Sequence, residues 1–266
     1  MVHVEYLYCY LADVPHIIML SVVIITKNEA HRISRCLESV HWADEIIVLD
    51  SGSTDTTVEI AKTFTQHVFI NTDWQGYGVQ KQRALSKATG DWVLHLDADE
   101  WVDTQLKTLF LKIIKEDKHD AYRVPIRLCF YGKPLRYSSS PTRHARLFKR
   151  EGAKFSDDLV HEKIILPDRA RIGQLKTPLL HDSFLDISHA IQKMNRYSSY
   201  SARISLTEKK HMSLSRACLS AGWMFLRCYF LQRGFLDGRS GFILAILNAQ
   251  GSFYRGIKQI YPDQSG

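Results

Sequence analysis

The sequence lacks the features of a disulfide scaffold, a zinc domain or a secreted protein. Its five cysteines are odd in number and have no metal-ligand spacing, which indicates reduced thiols in a cytosolic setting. Residues 1–18 have neither a basic start nor a small-residue cleavage site, so they do not resemble a signal peptide. We expect them to be a dispensable extension ahead of the first strand.

Internal repeats and low-complexity tracts are also missing, and acidic residues are scarce towards the end of the chain. With 45% hydrophobic residues among 266, the chain can bury a sizeable core, which excludes a disordered protein. From Lys163 onward there are 15 Lys and Arg against 6 Asp and Glu, a net charge of +9, whereas the first 162 residues carry 20 against 22, or −2. The basic rear half therefore suits an anionic surface, either lipid headgroups or nucleic acid.

What the sequence does contain is an alternation of apolar strands and helical stretches. "MLSVVIIT" (19–26) and "EIIVLD" (45–50) are continuous runs of the kind buried on both faces of a parallel sheet. The alternation predicts an α/β fold, a Rossmann-like and mostly parallel sheet with flanking helices over residues 19–186, followed by a helical and basic segment over 187–266. Helices are predicted at 29–40, 53–64, 79–88 and 104–115.

Polar clusters follow three of the predicted strands, where parallel sheets bind their ligands. Lys27-Asn28-Glu29 follows the first strand, "DSGSTD" (50–55) the second, and "DADE" (97–100) a later one. Three carboxylates within four positions repel one another unless a cation or hydrogen-bond donors neutralise them. Asp97 and Asp99 can converge on one hard cation, and Mg²⁺ commonly binds through one or two carboxylates and substrate phosphates.

Together these stretches resemble the family 2 glycosyltransferases. The resemblance rests on "SVVIITKNEA", "DSGSTDTT", "GVQKQRAL" and "ATGDWVLHLDADE", and it extends to "LVHE" and "GFLDGRSGF". It implies the GT-A fold and a metal-dependent, inverting transfer from a nucleotide-sugar. Among the branches of the family, the sequence is most similar to the bacterial one that adds glucose to the inner core of lipopolysaccharide, so UDP-glucose, Mg²⁺ or Mn²⁺ and a glycolipid acceptor are expected.

The resemblance also implies roles for particular residues. Asp97 is expected near the ribose and Asp99 on the metal, with Arg83 at the diphosphate. Ser51 stands where many members of the family place an aspartate against uracil. The residues expected to line the rest of the nucleotide pocket are Thr26, Glu29 and Asp50.

A general base for the acceptor hydroxyl is expected in "FSDDLVHEKI" (155–164), beyond the metal site. Glu162 is the first candidate, and Asp157 and Asp158 are the alternatives. His161 is expected to contact the metal or a phosphate, or to orient the carboxylate.

The segment 213–235 is apolar over a wide arc, but Ser213, Arg216, Ser220 and Arg227 recur at helical spacing. Arg227 interrupts the apolar stretch, which is therefore shorter than the ~20 residues that a membrane-spanning helix needs. We expect an amphipathic helix at the cytoplasmic surface of the inner membrane, with packing on the catalytic domain as the alternative.

Rival functions remain open at this point. A phosphatase with an Asp-x-Asp motif would carry Thr or Val where Trp101 stands, and a nucleotidyltransferase would have a glycine-rich loop after "VVIIT". The acceptor could also be another cell-envelope polysaccharide or a lipid carrier. A basic module that binds nucleic acid or a membrane is the non-enzymatic alternative, but no aromatic stacking motif of single-strand binders is present, so we do not expect nucleic acid as a partner.

Overall fold

The structure is a computed structural model that describes residues 18–138, 142–157, 162–207 and 212–262, and these form two compact units. The first unit draws on the described residues of Met1–Ala98, Lys107–Tyr122 and Ala145–Gln174, and the second on those of Asp99–Leu106, Arg123–His144 and Leu175–Gly266. The strands are β1 (Leu20–Thr26), β2 (Glu45–Asp50), β3 (Val68–Ile70), β4 (Trp92–Asp97), β5 (Glu100–Trp101), β6 (Ala121–Phe130), β7 (Lys133–Pro134), β8 (Arg143–Lys149), β9 (Lys154–Phe155), β10 (Ile164–Ile165), β11 (Ile172–Gln174) and β12 (Leu179–Asp182). The α-helices are α1 (Ile33–Val40), α2 (Thr57–Lys62), α3 (Tyr77–Leu85), α4 (Thr104–Glu116), α5 (Ile187–Thr207), α6 (Leu214–Leu226) and α7 (Gly238–Ile260).

A mostly parallel sheet forms the centre of the first unit. Every residue of β1 is buried, as expected for a strand rich in Val and Ile between two neighbours. Strand β1 pairs in parallel with β2 on one side and with β4 on the other. Beyond them β3 extends the sheet in parallel, and β8 runs antiparallel to β4. The predicted sheet is therefore confirmed.

The register of these strands aligns their carboxyl ends. Thr26, the last residue of β1, lies opposite Asp50, the last residue of β2. On the other side Ile25 lies opposite Asp97, which ends β4. The polar clusters that follow the three strands consequently emerge at the same edge of the sheet.

The first helix begins later than predicted, at Ile33 instead of near Glu29. Asn28 has a left-handed backbone (φ 55°), which helices do not accommodate. The Glu29 N–H donates to Oγ1 of Thr57, the first residue of α2, at 2.8 Å. The Glu29 carbonyl accepts from the N–H groups of Arg32 and Ile33, both at 2.9 Å, so residues 30–32 form a turn that leads into the helix.

In the second unit β5, β6, β7 and β12 are joined by strand pairing. Strand β12 pairs in parallel with β6 and antiparallel with β5, and β7 turns back on β6 as a hairpin. The rest of this unit is mainly helical, as predicted for residues from Ile187 onward. A π-helical turn (Arg227–Leu231) and a 3₁₀ turn (Gly234–Asp237) join α6 to α7.

Small residues bring α6 and α7 together. The hydroxyls of Ser220 and Ser252 lie 2.7 Å apart, and a Cβ at Gly256 would stand only 2.7 Å from that of Ala217. Ser213 caps α6 by accepting from the Arg216 N–H at 3.3 Å. The polar residues of 213–227 therefore do not form one outward stripe, because Ser220 faces α7. In the part of the chain that the structure describes, no helix has both the length and the apolar character needed to cross a membrane.

Candidate active site

The loops that follow β1 and β2 hold each other in place. Asn28 Oδ1 accepts a hydrogen bond from the Thr54 N–H, and the Asn28 N–H donates to Ser53 Oγ, both at 2.8 Å. The left-handed backbone of Asn28 makes this exchange possible. Two of the three predicted clusters, residues 27–29 and 50–55, are thus hydrogen-bonded to each other at the ends of β1 and β2. We call these residues the rim.

Asp50 is buried and shapes its own loop. Its Oδ1 accepts from the N–H groups of Gly52 and Ser53, each at 2.8 Å, and its Oδ2 accepts from the Ser53 hydroxyl. Ser51 is buried too, and its Oγ accepts from Gln80 Nε2 at 3.0 Å. Both residues lie at the strand edge, where a nucleotide pocket was expected.

The other predicted nucleotide-pocket residues occupy the same rim or its neighbourhood. Glu29 forms an ion pair with Arg32 (2.5 Å). Arg83, on α3, forms an ion pair with Asp73 (2.7 Å). The hydroxyl of Thr26 is buried and has no hydrogen-bond partner among the described residues, so it offers a donor and acceptor to a ligand.

Asp97 lies between two cations at the end of β4. Its Oδ1 is 3.0 Å from Lys81 Nζ, and its Oδ2 is 2.9 Å from Arg146 Nη2. Arg146 also reaches His95 Nδ1 at 2.7 Å. Burial alone would raise the pKa of Asp97, but the charges of Lys81, Arg146 and His95 and the hydrogen bond from Lys81 hold it well below its ordinary value of 3.8. Asp97 is therefore an ionised carboxylate at neutral pH.

Lys81 connects this cluster to the predicted base. Its Nζ lies 2.5 Å from Glu162 Oε1, and its side chain is only 5% exposed. The structure therefore brings together Asp97 and Glu162, which are 65 positions apart in the sequence. Asp157 is exposed, and Asp158 and His161 lie outside the described residues.

Asp99 belongs to the second unit, where it contacts a histidine that the sequence did not single out. His181 Nε2 lies 3.0 Å from Asp99 Oδ2, and the backbone N–H of Asp182 donates to the Asp99 carbonyl at 2.9 Å. Ser183 Oγ is within 3.2 Å of both His181 ring nitrogens. The described residues contain no group of three or more His, Cys, Asp or Glu side chains that could hold a metal.

The sequence analysis did not single out Lys81, His95, Arg146 or His181. The only feature of the sequence that could have drawn attention to Lys81 and His181 was their position in a helix and in a strand. Lys81 falls on the α3 side that also buries Gln80 and Leu85, and His181 is the third residue of a short apolar strand. Neither position predicts a partner, because the partners are about 80 positions away.

In open α/β sheets, ligands bind in the crevice outside the carboxyl ends of the strands, and that is where the side chains of Asp50 and Asp97 lie. Residues 21–165 match Glycosyl transferase family 2. The chain belongs to this family and has its GT-A fold, as the sequence predicted. It is a glycosyltransferase.

Two relatives in sequence, both named as glycosyltransferases, agree with this assignment. An uncharacterized glycosyltransferase of Rickettsia prowazekii is 33% identical over 252 residues, covering 90% of this chain and 86% of the relative. The lipopolysaccharide core biosynthesis glycosyltransferase LpsC of Rhizobium meliloti is 31% identical over 251 residues, which cover 90% of this chain and 91% of that relative. Among solved structures, a mannosyltransferase from Pyrobaculum calidifontis in complex with GDP-Man and Mn²⁺ has a TM-score of 0.49 at 13% identity, covering 93% of this chain and 88% of its own.

Proposed function

We propose that the chain is an inverting glycosyltransferase that moves a hexose, glucose from UDP-glucose, onto a lipopolysaccharide core or a related glycolipid. The observation that carries the chemistry is the buried ammonium of Lys81 between Asp97 and Glu162. Similarity to a protein named for lipopolysaccharide core biosynthesis supports the acceptor class. Another envelope polysaccharide or a lipid carrier is the alternative acceptor.

The donor would occupy the rim above the sheet. Thr26 offers a buried hydroxyl without a partner among the described residues. Asp50 lies opposite it at the strand ends, and the Ser51 N–H donates to its carbonyl at 2.9 Å. Asp97, ionised and fixed by two cations, would accept hydrogen bonds from the ribose. Arg83 would exchange its contact with Asp73 for the diphosphate, since a guanidinium binds phosphate through two parallel hydrogen bonds.

Asp99 and His181 fit as protein ligands of Mg²⁺ or Mn²⁺. Their Oδ2 and Nε2 atoms, 3.0 Å apart, converge, and carboxylate oxygen and imidazole nitrogen are both common metal ligands. Donor phosphates and water would complete the shell, as is usual for Mg²⁺. When bound, the cation would neutralise charge that develops on the leaving diphosphate. His161 remains a further candidate ligand.

Glu162 would act as the base. The acceptor oxygen forms a bond to the anomeric carbon while the bond from that carbon to the diphosphate breaks, and the electron pair leaves with UDP. The acceptor proton passes to Glu162. Lys81 would hold Glu162 in place through Oε1, which leaves Oε2 for the acceptor. A single displacement of this kind inverts the anomeric carbon.

A peripheral position at the cytoplasmic face of the inner membrane would bring the enzyme to a glycolipid acceptor. Along α6 and the turns after it, large apolar side chains are exposed, among them Leu219 (73%), Trp223 (58%) and Leu231 (65%). Arginines at 216, 227, 233 and 239 are also exposed in this stretch. Apolar side chains beside cationic ones are typical of helices that lie in an anionic membrane interface.

A donor panel tests the proposed function. UDP-glucose with Mg²⁺ or Mn²⁺ should raise the melting temperature more than other nucleotide-sugars do, because a ligand that binds only the folded state stabilises it. Product analysis with lipopolysaccharide core and other envelope acceptors should then show transfer to the core. Preference for a GDP-sugar or for a polysaccharide acceptor would replace the corresponding part of the proposal.

A further inference from the structure

The helical part of the second unit has a cavity of about 310 Å³ between α5 and α7. Large apolar side chains line it, among them Met194, Met224, Leu244 and Leu247, and none of its lining residues is acidic. Sites for small molecules typically have volumes of roughly 300–1,000 Å³ and mostly apolar walls with a few polar groups. The cavity has both properties, so it suits an apolar ligand.

The two helices that line the cavity run side by side in the same direction. Near their first turns, Leu244 of α7 belongs to the same apolar cluster as Ile187 of α5. Further along, Lys258 Nζ donates to Ser198 Oγ at 2.8 Å. The helices therefore stay in contact at both ends of the stretch that holds the cavity.

The cavity is elongated, because its lining residues follow both helices. They extend from Ala190 to Ser201 on α5 and from Leu244 to Arg255 on α7, a length of about 16 Å at ~1.5 Å per residue. Small side chains leave the space between the helices open, namely those of Ala190, Ser198, Ser201 and Ser252, together with Gly251. One extended hydrocarbon chain matches this shape better than a compact ligand does.

Arg255 is the cation that the cavity offers to a ligand. Its Nε is buried and has no hydrogen-bond partner among the described residues, whereas most buried polar groups in proteins have one. The other cation of the lining, Lys193, already donates to the Ser183 carbonyl at 3.3 Å. A phosphate would give the Arg255 guanidinium its partner, because a guanidinium binds phosphate oxygens through parallel hydrogen bonds.

The charge of the surrounding helices also favours an anionic ligand. α5, α6 and α7 contain Lys and Arg but neither Asp nor Glu. α6, which contributes Met224 to the cavity, also carries Trp223, whose side chain is 58% exposed. An apolar cavity with a cation in its wall, within helices of one charge sign, has the chemistry that an anionic amphiphile requires.

We propose that this cavity binds one acyl chain of an anionic phospholipid, whose phosphate pairs with Arg255. The chain would fill the space between α5 and α7, and the bound lipid would stabilise the helical part of the second unit. The proposal depends neither on the sugar donor nor on the acceptor, so it can be tested without sugar transfer.

Calorimetric titration with dodecyl phosphate, at concentrations where this amphiphile is monomeric, tests the cavity. The wild type should bind one molecule per chain. Ser201→Leu, which fills part of the cavity, should weaken binding by about tenfold or more. Ser205→Leu makes the same change on α5 outside the cavity and should bind like the wild type. Equal affinities of the two variants would overturn the site.

Dodecyl maltoside has the same chain and an uncharged head, so it tests the role of Arg255. We expect the wild type to bind dodecyl phosphate about tenfold more tightly than dodecyl maltoside. Arg255→Gln should lose this preference and still bind the maltoside, while Arg239→Gln, at an exposed position of α7, should keep it. A preference that survives in Arg255→Gln would overturn the pairing of the phosphate with this arginine.

The double variant Leu219→Ser, Trp223→Ser separates the cavity from the exposed surface of α6. It should keep the wild-type affinity for monomeric dodecyl phosphate, because neither side chain lines the cavity. Loss of this binding in the double variant, with normal binding by Ser201→Leu, would move the amphiphile to the surface of α6 and overturn the proposal. Failure of the wild type to transfer sugar would contradict the proposed function and leave these binding results unaffected.

Discussion

Lys81 and Glu162 form an ion pair of 2.5 Å between residues that are 81 positions apart. The same ammonium lies 3.0 Å from Asp97, so one buried lysine joins a carboxylate at the end of β4 to a carboxylate after β9. An uncompensated buried charge is costly, and each of these three groups compensates another. This arrangement links the stability of the first unit to its proposed chemistry.

Replacing Lys81 with methionine should destabilise the protein. Lys81→Met keeps the length of the side chain but leaves Asp97 and Glu162 without their shared cation, which we expect to lower the free energy of unfolding by about 1–3 kcal/mol. Urea unfolding measures this loss. Lys62→Met, at an exposed position of α2, is the matched control and should change little. Equal stabilities of the two variants would show that the ion pair contributes nothing.

The Asp99–His181 pair should control metal-dependent binding of the donor without supporting the fold. We expect Asp99→Ala and His181→Ala to weaken UDP binding in the presence of Mn²⁺ by about tenfold or more. Calorimetry with and without Mn²⁺ separates the metal effect from the nucleotide contacts. His189→Ala, on α5, is the control. If Mn²⁺ makes no difference to UDP binding by the wild type, the metal assignment fails.

Asp237 should stabilise the second unit at neutral pH and lose this effect in acid. Burial alone would raise its pKa, but hydrogen bonds from the Ser138 side chain and from the backbone of Arg136, Tyr137 and Ser138 bring it below 3.8. The pKa of Asp237 is lower in the folded protein than in the unfolded chain. The charge therefore stabilises the fold fully at pH values above the pKa of the unfolded chain, and this stabilisation disappears as the pH falls through the pKa of the folded protein.

Removing that charge gives the matching experiment. Asp237→Asn should cost about 1–3 kcal/mol at pH 7, and its difference from the wild type should shrink below about pH 4. Asp168→Asn, at an exposed position, should be neutral throughout. A deficit for Asp237→Asn that stays constant down to pH 3 would contradict the role of the charge.

The exposed apolar side chains of α6 should mediate membrane binding. The double variant Leu219→Ser, Trp223→Ser should bind vesicles that contain phosphatidylglycerol at least about tenfold more weakly. High salt should weaken binding by the wild type, because arginines contribute. Leu111→Ser removes a leucine that is 40% exposed on α4 and should have no effect. Unchanged binding by the double variant would contradict the membrane role of these side chains.

Much of the fold was predictable because its signals are local. The apolar runs of β1, β2 and β4 identify buried parallel strands, and the alignment of their carboxyl ends follows from parallel pairing. The predicted start of α1 was wrong by four residues; Asn28, ahead of the helix, has a left-handed backbone and is bound by Ser53 and Thr54 of the next loop. Propensity along the chain contains no information about those contacts.

The candidate site was predictable only in part, for the same reason. Asp97, Asp99 and Glu162 belong to recognisable motifs, but their partners do not. Lys81 and His181 become part of the site through contacts across 81 and 82 positions, which depend on how the elements pack. A lysine on a helix and a histidine in a strand are common in proteins without any active site.

Turnover of Glu162→Gln tests the central claim most directly. Glutamine keeps the size and hydrogen bonding of Glu162 but cannot accept the acceptor proton, so turnover at saturating donor and acceptor should fall by about 10²- to 10⁴-fold, while UDP binding stays close to that of the wild type. Asp157→Asn and Asp158→Asn, measured beside it, should remain active. Wild-type turnover by Glu162→Gln, together with loss of activity in one of the aspartate variants, would contradict the account and move the base to that aspartate.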